Sequence, residues 1–476
     1  MSSAPQQNGQ APVRATLNQD NLKRSIGLPG AIGISVNQII GGGIVSLTGV
    51  AIAMTGGGVS IAYVLAAAAV IISSIPYASL AASYPVAGGV YTWPARLIHP
   101  SAGFLLAWLT SLGKGSLSLY GLAAGQYMHA INPWFNEIWV AVTLVSIFFV
   151  SNLAGAVISS RLGVVLMVVM IIGFCTFGLF GMAEVNWEIY PEMMPHGLVE
   201  LLSAAALLSF ATAGAYGVGE LGRELKNPGR DIPLAMVGGT AIVGIIYVIV
   251  AVPAAGVLPI AQVADQPLST VAQEFLPTGL WIFFIIGGAM VAIISTMNAE
   301  LLWGTKSLLA ASDDGWIPPS WGRVNKRFGT PHWLLCILYF IGVIPAIAGV
   351  DVSVIGTAAS VFVQIMFIVI VIASICIRWK MPEVYARSPF RLSAPVHYTI
   401  VAVAVAIAAY QGYLLLLDFD YRVWTACCVW MGIGGILALT RWPIVKRTLA
   451  ARGIDHRGGP PASESVRTAV EARMQS

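Results

Sequence analysis

Charged residues are scarce in this chain. Asp, Glu, Lys and Arg make up only 10% of its 476 residues, whereas hydrophobic residues make up 57%. A soluble domain usually carries about 25% charged residues, so this chain has too few to cover a surface that faces water. The high apolar content also excludes disorder, except at the polar ends of the chain. The composition therefore indicates a membrane protein that crosses the bilayer several times.

Cysteines are few, and the signature motifs of soluble enzymes are missing. Five cysteines are too few for a disulfide-stapled secreted scaffold, and we interpret them as small packing residues in apolar segments. The sequence contains no Walker-type phosphate loop and no His-Glu-x-x-His zinc motif. We therefore expect no enzymatic activity, no cofactor, no metal site and no transport driven directly by ATP.

Long apolar runs, in contrast, are abundant. A membrane-spanning helix needs about 20 apolar residues, and unbroken runs of that length favour helices over the short alternating strands of a β-barrel. We therefore expect an all-α polytopic fold. Hydropathy predicts twelve spans, at residues 29–54, 58–82, 101–129, 136–156, 162–183, 199–222, 234–258, 279–303, 332–349, 353–379, 396–417 and 422–440.

The positions of the basic residues support this count and give it an orientation. If the N-terminus is cytoplasmic, every Lys and Arg except Lys114 and Arg422 falls on the cytoplasmic side. A missed or an extra span would scatter these residues over both faces of the membrane. We therefore predict a multi-pass protein of the plasma (inner) membrane with cytoplasmic N-terminal (1–28) and C-terminal (441–476) tails.

Two of the predicted spans contain clusters of small residues near the middle of the membrane. Span one has Gly41, Gly42 and Gly43 in succession, and span six concentrates small residues over 210–219. Each glycine costs a helix about 1 kcal/mol relative to alanine, so helix propensity does not explain them. Small residues let two helices approach closely; alternatively, the helices unwind and expose backbone groups to a buried site. Interruptions in the first and sixth spans are typical of two inverted five-helix repeats.

Such breaks have a specific binding chemistry. The amides of Gly41 to Ile44 would begin the outer half of span one, where the helix dipole favours a carboxylate. The carbonyls that end the inner half of span one and the outer half of span six would accept an ammonium group. We expect a zwitterion or an amine to be bound largely by the backbone.

Four segments are similar to the amino acid–polyamine–organocation permeases. They are residues 40–49 (IGGGIVSLTG), 84–91 (YPVAGGVY), 224–233 (ELKNPGRDIP) and 312–318 (SDDGWIP). They occur in the family's order over roughly residues 25 to 450. Residues 85–97 look closest to the amino acid/choline branch.

The resemblance implies a fold and a mode of transport. Two inverted repeats, 29–183 and 199–379, would each contain five transmembrane helices, with discontinuous helices 1 and 6. Two additional helices would follow at 396–440, which gives 12 transmembrane helices in all. Proteins of this family transport by alternating access, which we expect here as well.

The resemblance also implies site residues. Gly41, Gly42 and Gly43 fall where members bind the substrate carboxylate, whereas Ile39, Phe210 and Ala213 fall where members meet the amine, with Phe210 also in the place of an aromatic gate. The predicted substrate-binding residues are Ile39, Gly41, Gly42, Gly43, Ile44, Phe210, Ala213, Gly214 and Tyr216.

Two positions depart from the family pattern. Met170 stands where some proton-coupled members have a lysine, and a thioether cannot carry a proton. Tyr216 stands where many members have a glutamate.

Lys114 is a charged residue in the middle of predicted span three. A charge there costs about 2.5–3.5 kcal/mol on insertion scales, so it should face a cavity or a partner. Glu220 and Glu300 are the candidate partners, either in a structural pair or with Lys114 as a coupling cation. Ser295 and Thr296 are candidate sodium ligands, although helix hydroxyls usually bond to the backbone. The coupling candidates are Lys114, Glu220, Glu300, Ser295, Thr296 and Met170.

These features predict a secondary transporter (permease) for an amino acid or a small organic amine, driven by the proton gradient or by exchange. One alternative is a choline- or ethanolamine-like amine permease, in which Trp108, Phe210 and Tyr216 offer cation–π contacts. Another is a sodium-coupled symporter, and a channel or a transport-like receptor would be a different class. The expected partners are a small-molecule substrate and the lipid bilayer, with no nucleic acid; the sequence predicts no oligomeric state.

Overall fold

The computed structural model of this protein describes residues 26–155, 160–188, 190–222, 224–325 and 327–455. Within these ranges the regular structure is helical, apart from one isolated backbone bridge between Ile26 and Leu225. The predicted tails fall largely at 1–25 and 456–476, which lie outside the described residues. The chain therefore has the predicted all-α architecture.

The helices before residue 184 cover the first five predicted spans and the connection after span two. Span one is divided between two helices, and span three is divided by a turn of 3-10 helix at Gly113–Gly115. In chain order these helices are α1 (Leu28–Ile39), α2 (Gly42–Thr55), α3 (Val59–Ser83), α4 (Gly89–Leu97), α5 (Pro100–Leu112), α6 (Ser116–Ile131), α7 (Glu137–Leu153) and α8 (Ser160–Ala183).

The helices after residue 196 cover the other seven predicted spans and short connections between them. Segments of π-helix at Leu234–Gly238 and Phe284–Met290 continue two of the helices. In chain order the helices are α9 (Gly197–Thr212), α10 (Tyr216–Glu220), α11 (Pro228–Pro233), α12 (Gly239–Gly256), α13 (Ile260–Val263), α14 (Leu268–Phe275), α15 (Thr278–Phe283), α16 (Val291–Asp313), α17 (His332–Ile347), α18 (Val352–Lys380), α19 (Pro382–Ala386), α20 (Ala394–Leu417) and α21 (Tyr421–Ala451).

The helical segments coincide with the apolar runs of the sequence. Eight stretches among the described residues are long and apolar enough to cross a membrane, and the first, Leu28–Ser83, contains both of the first two predicted spans. The helices of predicted spans four and nine are shorter, with 17 and 16 residues. A polytopic membrane protein is therefore established, whereas the number of crossings and the division into inverted repeats stay predictions.

The helices with the small-residue clusters lie next to one another. Helix α2 packs along α9, and α3 packs against both α9 and α12. Helix α1 packs against α8, α12 and the turn at Ala213–Ala215. In α9 the run Ala204, Ala205 and Ala206 is at most 1% exposed. Small side chains therefore let the two halves of the chain approach closely around the predicted breaks.

A buried charge cluster on the predicted cytoplasmic side ties the end of α21 to α4 and to the end of α16. Asp314, directly after α16, accepts hydrogen bonds from Tyr91, Arg96 and Arg452, with the two arginine nitrogens at 2.7 and 3.0 Å. The Asp314 side chain is only 2% exposed. Burial, followed by the charge of Asp314, raises the pKa of the Tyr91 phenol, so Tyr91 stays a neutral donor. Because Arg452 immediately follows α21, the cluster fixes this helix to α4 and α16.

We expect Asp314→Asn to destabilise the protein, because Arg96 would stay buried without its carboxylate partner. Breaking a buried ion pair costs about 3–5 kcal/mol, and an amide that keeps part of the hydrogen bonding should lose roughly half of that. The midpoint of thermal unfolding in a fixed detergent should fall by several degrees. Glu383→Gln, at an exposed position in α19, is the control and should leave the midpoint unchanged. Equal midpoints for the two variants would contradict a stabilising role for the cluster.

Candidate substrate-binding site

The first predicted span is interrupted at its glycine run. Helix α1 ends at Ile39 and α2 begins at Gly42. Between them Ile40 has ψ of 84°, outside the helical range, and Gly41 is extended, with φ of −132° and ψ of −159°. The amides at the start of α2 therefore have no helical carbonyl to bond, as expected for the N-terminus of a new helix.

The sixth predicted span is tightened rather than unwound. Its backbone passes from α9 through a single 3-10 turn at Ala213–Ala215 into α10, and it stays right-handed throughout. We expected a discontinuous helix here, as in span one, so the interruption in span six is smaller than predicted. The reason is packing at Gly214, where a Cβ atom would lie 2.7 Å from the amide nitrogen of Ile39. A tightened turn without a side chain brings the two backbones together and needs no further unwinding.

Close packing joins the two irregular segments. A Cβ atom at Gly43 would lie 2.7 Å from the Cα of Ala211, and a Cβ atom at Gly214 would overlap the carbonyl of Gln38. Ala213 is 1% exposed. The glycines therefore serve both of the roles that we considered from the sequence, since they interrupt span one and also let α9 approach it.

Tyr247 of α12 satisfies backbone groups of both segments. Its hydroxyl donates to the carbonyl of Ile39 at 2.5 Å, and the carbonyl of Ala211 lies 3.3 Å away as a second acceptor. Tyr247 was not among the predicted site residues. Its signal was available, because Tyr247 is the single phenol in the largely apolar helix 239–256. The Ile39 carbonyl, which we expected to meet an amine, therefore already has a donor in this conformation.

An aromatic pair covers the glycine run. Phe210 stacks on Tyr120 of α6, with ring centroids 6.2 Å apart and planes inclined by 17°. A Cβ atom at Gly42 would overlap the Tyr120 ring. Phe210 was predicted from the sequence but Tyr120 was not, because Tyr120 of α6 lies 90 residues before Phe210 in the chain. Phe210 thus lies next to the ring that covers Gly42, and its role as a gate stays a prediction.

Trp108, in contrast, lies away from the break. Its indole nitrogen donates to the carbonyl of Trp430 at 2.9 Å, and Trp430 returns the same bond to Trp108 at 2.9 Å. The two rings are stacked with centroids 4.6 Å apart. The expectation that Trp108 offers a cation–π contact to an amine is therefore wrong, because this ring joins α5 to α21.

The hydroxyls predicted as sodium ligands are bonded to their own helix. Ser295 and Thr296 both donate to the carbonyl of Ala292 at 2.9 Å. Thr296 nevertheless borders the break, since its side chain fills the space where Gly41 lacks a Cβ atom. Across the break, Ile44 is buried and its carbonyl accepts from Thr48 at 2.5 Å. The roles of Ser295 and Thr296 as sodium ligands, and of Ile44 in substrate binding, stay predictions.

Helix α8 supports the inner half of span one. Met170 of α8 is fully buried, and α8 packs along α1. The Asn37 amide nitrogen donates to the carbonyl of Gly163 at 2.7 Å, whereas the Asn37 side-chain oxygen, one turn before the break, has no hydrogen-bond partner among the described residues. An unpaired buried acceptor at this point is available to a bound donor.

Lys114 has Glu300 as its partner. The Lys114 ammonium donates to the Glu300 carboxylate, and the two side chains are 13% and 12% exposed. Gly304 makes room for the lysine, because a Cβ atom there would lie 3.0 Å from Lys114 Cε. Of the two candidate partners, the structure therefore joins only Glu300 to Lys114 by a hydrogen bond.

Glu220 binds the start of a different helix. Its two carboxylate oxygens accept from the amides of Gly89 and Val90, at 2.8 and 2.9 Å. These amides begin α4, where the helix dipole favours a negative charge. Glu220 is 4% exposed, so the end of span six is fastened to the loop after span two.

A small cavity connects several of the predicted residues. Tyr216, Lys114 and Glu220 line a space of about 50 Å³ that is also bordered by Trp303. This space holds about one or two water molecules. This space is too small for an amino acid, so a substrate that enters it would have to enlarge it.

An interrupted apolar helix in a polytopic helical bundle is characteristic of membrane transporters that bind their cargo near mid-membrane. The chain belongs to the amino acid permease family, because a family model described as an amino acid permease matches residues 26–436. It is therefore a transporter and not an enzyme.

The relatives of this chain carry different cargoes. The chain is 27% identical over 455 residues to a branched-chain amino acid permease of Bacillus subtilis (strain 168), covering 89% of this chain and 94% of the relative. It is 26% identical over 434 residues to a methylthioribose transporter of the same organism, covering 85% and 90%. It is 25% identical over 397 residues to the mitochondrial cationic amino acid transporter 3 of Arabidopsis thaliana, covering 77% and 64%. This similarity defines the class of protein but no single substrate.

We expect Gly42→Ala to weaken substrate binding by at least about tenfold, because its methyl group would displace Tyr120 from the break, and a misplaced binding group typically loses more than 1.4 kcal/mol. Binding of a radiolabelled substrate to purified protein would measure the change. Gly432→Ala, in α21, is the control, since nothing lies within 4 Å of its added Cβ atom. Equal losses in both variants would point to general misfolding, and normal binding by Gly42→Ala would reject the site.

Proposed function

We propose that this chain is a secondary active transporter that carries an α-amino acid across the plasma membrane by alternating access. The observation that carries the proposal is the interruption at Ile40–Gly41, packed against the tightened turn of span six. The amides of Gly41 to Ile44 bind the carboxylate of the substrate, and the carbonyls that end α1 and α9 bind its ammonium group. Backbone groups thus recognise the part that all amino acids share.

In this proposal Tyr247 bonds to the Ile39 carbonyl before the substrate arrives. Its hydroxyl donates to the Ile39 carbonyl in this structure, and the substrate ammonium replaces it as the donor when the substrate binds. Because a buried carbonyl is expensive to leave without a donor in a membrane, the exchange of one donor for another keeps the break satisfied throughout the cycle. Phe210 and Tyr120 then close over the bound substrate.

The topology of the proposed transporter follows the charge distribution. It has twelve membrane crossings in a five-plus-five inverted repeat with two additional helices, and both termini are cytoplasmic. The positive-inside rule supports this orientation. The contact of Glu220 with the start of α4 and the Asp314 cluster then lie on the cytoplasmic side. The Glu220 contact must break for the substrate to leave inward.

Proton coupling is proposed to run through Lys114 and Glu300. The ion pair lies next to the cavity bordered by Tyr216, and Met170 leaves the usual lysine position without a titratable group. A proton taken up by Glu300 breaks the pair, and the released Lys114 changes the charge that the cavity presents. A structural role for the pair, with transport by exchange alone, is the competing interpretation.

Uptake into proteoliposomes tests the proposed function. We expect saturable uptake of at least one α-amino acid, stimulated by the same unlabelled compound inside. The methyl ester and the N-acetyl derivative of that amino acid should not compete, because each lacks one of the two charges that the break recognises. Uptake of choline or ethanolamine alone would favour the amine permease. Flux that does not saturate would indicate a channel, and binding without flux would indicate a receptor.

The variants Lys114→Met and Glu300→Gln test proton coupling. Each leaves a buried charge or acceptor without its partner, so both should lose accumulation driven by an imposed pH gradient. The double variant Lys114→Met/Glu300→Met removes both charges, which is often tolerated in buried pairs, and it should keep exchange while lacking pH-driven accumulation. Retained pH-driven accumulation in the double variant would show that the pair is structural. Accumulation driven by an imposed sodium gradient in the wild type would favour the sodium symporter.

A further inference from the structure

A second and larger cavity lies away from the break. It has a volume of about 260 Å³ and is enclosed by span three, by the helices α17 and α18, and by the beginning of α21. Most of its wall is apolar. The residues that shape it include Gly113, Gly115, Pro345, Ala358, Phe362 and Ala426.

The cavity is a crevice that runs from one membrane surface towards the middle of the protein. At its rim Asp351 directly precedes α18, and Asp420 directly precedes α21. At its floor Gly113 and Gly115 belong to the 3-10 turn near the centre of the helical segment 100–131. Its depth is therefore comparable to one leaflet of a bilayer whose hydrocarbon core is about 30 Å thick.

The crevice opens sideways towards the bilayer. One wall belongs to α21, and only 6% of the most apolar window of that helix is buried inside the protein. Ala426, on this wall, is exposed. The groove is thus accessible to a molecule that is already in the membrane, and its apolar lining does not suit the charged groups of an amino acid.

The rim carries charges of both signs. Arg422 is exposed, its Nε donates to the Tyr421 hydroxyl at 3.3 Å, and no carboxylate lies within ion-pair distance of it among the described residues. Asp351 and Asp420, both exposed, border the same opening. A ligand that matches this rim has a phosphate for the guanidinium and an ammonium group for the carboxylates.

We propose that this crevice binds one phospholipid with an ethanolamine head group. One acyl chain fills the apolar groove, the phosphate binds Arg422, and the ammonium donates to Asp420 and Asp351. A head group with a net negative charge would be repelled by the two carboxylates, and a choline head group has no N–H to donate. The lipid site depends on the membrane fold alone, whereas its link to transport through Lys114 rests on the proposed function.

The bound lipid would contact the turn that carries Lys114. The turn Gly113–Gly115 forms the floor of the crevice, and the residue between these glycines, Lys114, bonds to Glu300. A Cβ atom at Gly113 would lie 3.3 Å from Phe362, so the turn is in close contact with the crevice wall. An acyl chain in the groove therefore supports the turn that positions the intramembrane ion pair.

Native mass spectrometry of protein released from nanodiscs tests this site. The nanodiscs contain phosphatidylethanolamine, phosphatidylcholine and phosphatidylglycerol in equal amounts. We expect the wild type to retain one phosphatidylethanolamine. Ala426→Trp fills the groove and should lower this retention at least tenfold, whereas Arg422→Gln should lower it about fivefold, as the loss of one charge-assisted contact predicts.

Two further variants serve as a control outside the crevice and as a second way to fill the groove. Val429→Trp adds the same side chain to α21 at a position that is 59% exposed and outside the crevice, and it should retain the lipid like the wild type. Ala358→Phe fills the groove from α18 and should reproduce the loss if Ala426→Trp does not fold. Equal retention by the groove-filling variants and by Val429→Trp would overturn the proposal. Preferential retention of phosphatidylglycerol, of phosphatidylcholine, of detergent alone or of an amino acid in the groove would overturn it as well.

The effect of the bound lipid on Lys114 is tested by measuring how uptake depends on phosphatidylethanolamine. Uptake by the wild type should be at least about threefold faster in liposomes that contain phosphatidylethanolamine than in phosphatidylcholine liposomes, whereas uptake by Ala426→Trp should not depend on this lipid. If both proteins respond equally to phosphatidylethanolamine, the effect arises from the bulk bilayer and the proposed link to Lys114 is wrong.

Discussion

Every backbone group that leaves a helix inside a bilayer must find another partner, and this requirement shapes the centre of the protein. The interruption at Ile40 and Gly41 removes helical hydrogen bonds in the middle of a predicted membrane span, where lipid offers no replacement partner. Tyr247 supplies one donor, and the close approach of α9 at Gly43 and Gly214 fills the remaining space. The interruption, the Tyr247 hydroxyl and the small residues therefore belong together, since the hydroxyl bonds to a carbonyl at the break and the small residues let the surrounding helices pack against it.

Charges inside the membrane follow the same rule. Lys114 and Glu300 neutralise each other, and Glu220 is satisfied by two amides at the start of α4. Each of these contacts joins helices that are far apart in sequence. The charged residues inside the membrane thus hold helices together. In a transporter that changes conformation, contacts of this kind can break and form again.

The sequence predicted those features that depend on neighbouring residues. The apolar runs located the helices, and the glycine run located the interruption of span one, because both signals are local. It overestimated the interruption of span six, where the effect of Gly214 depends on its contact with Gln38 and Ile39. Tyr247, Tyr120 and the true environment of Trp108 were missed for the same reason: their partners lie 208, 90 and 322 residues away along the chain. Glu300 was found as one of two candidates, since a buried lysine demands a partner but does not specify which.

The position of Arg452 has a practical consequence for handling the protein. Its guanidinium is anchored to Asp314 and to the carbonyl of Asp313, at 3.0 and 2.9 Å, just one residue after α21 ends. An affinity tag or fluorescent reporter joined directly behind Ala451 would remove Arg452. The buried carboxylate of Asp314 would then keep only Arg96 as its cationic partner among the described residues. Engineered versions should therefore extend at least through Ile454, whose side chain is 8% exposed, before any linker begins.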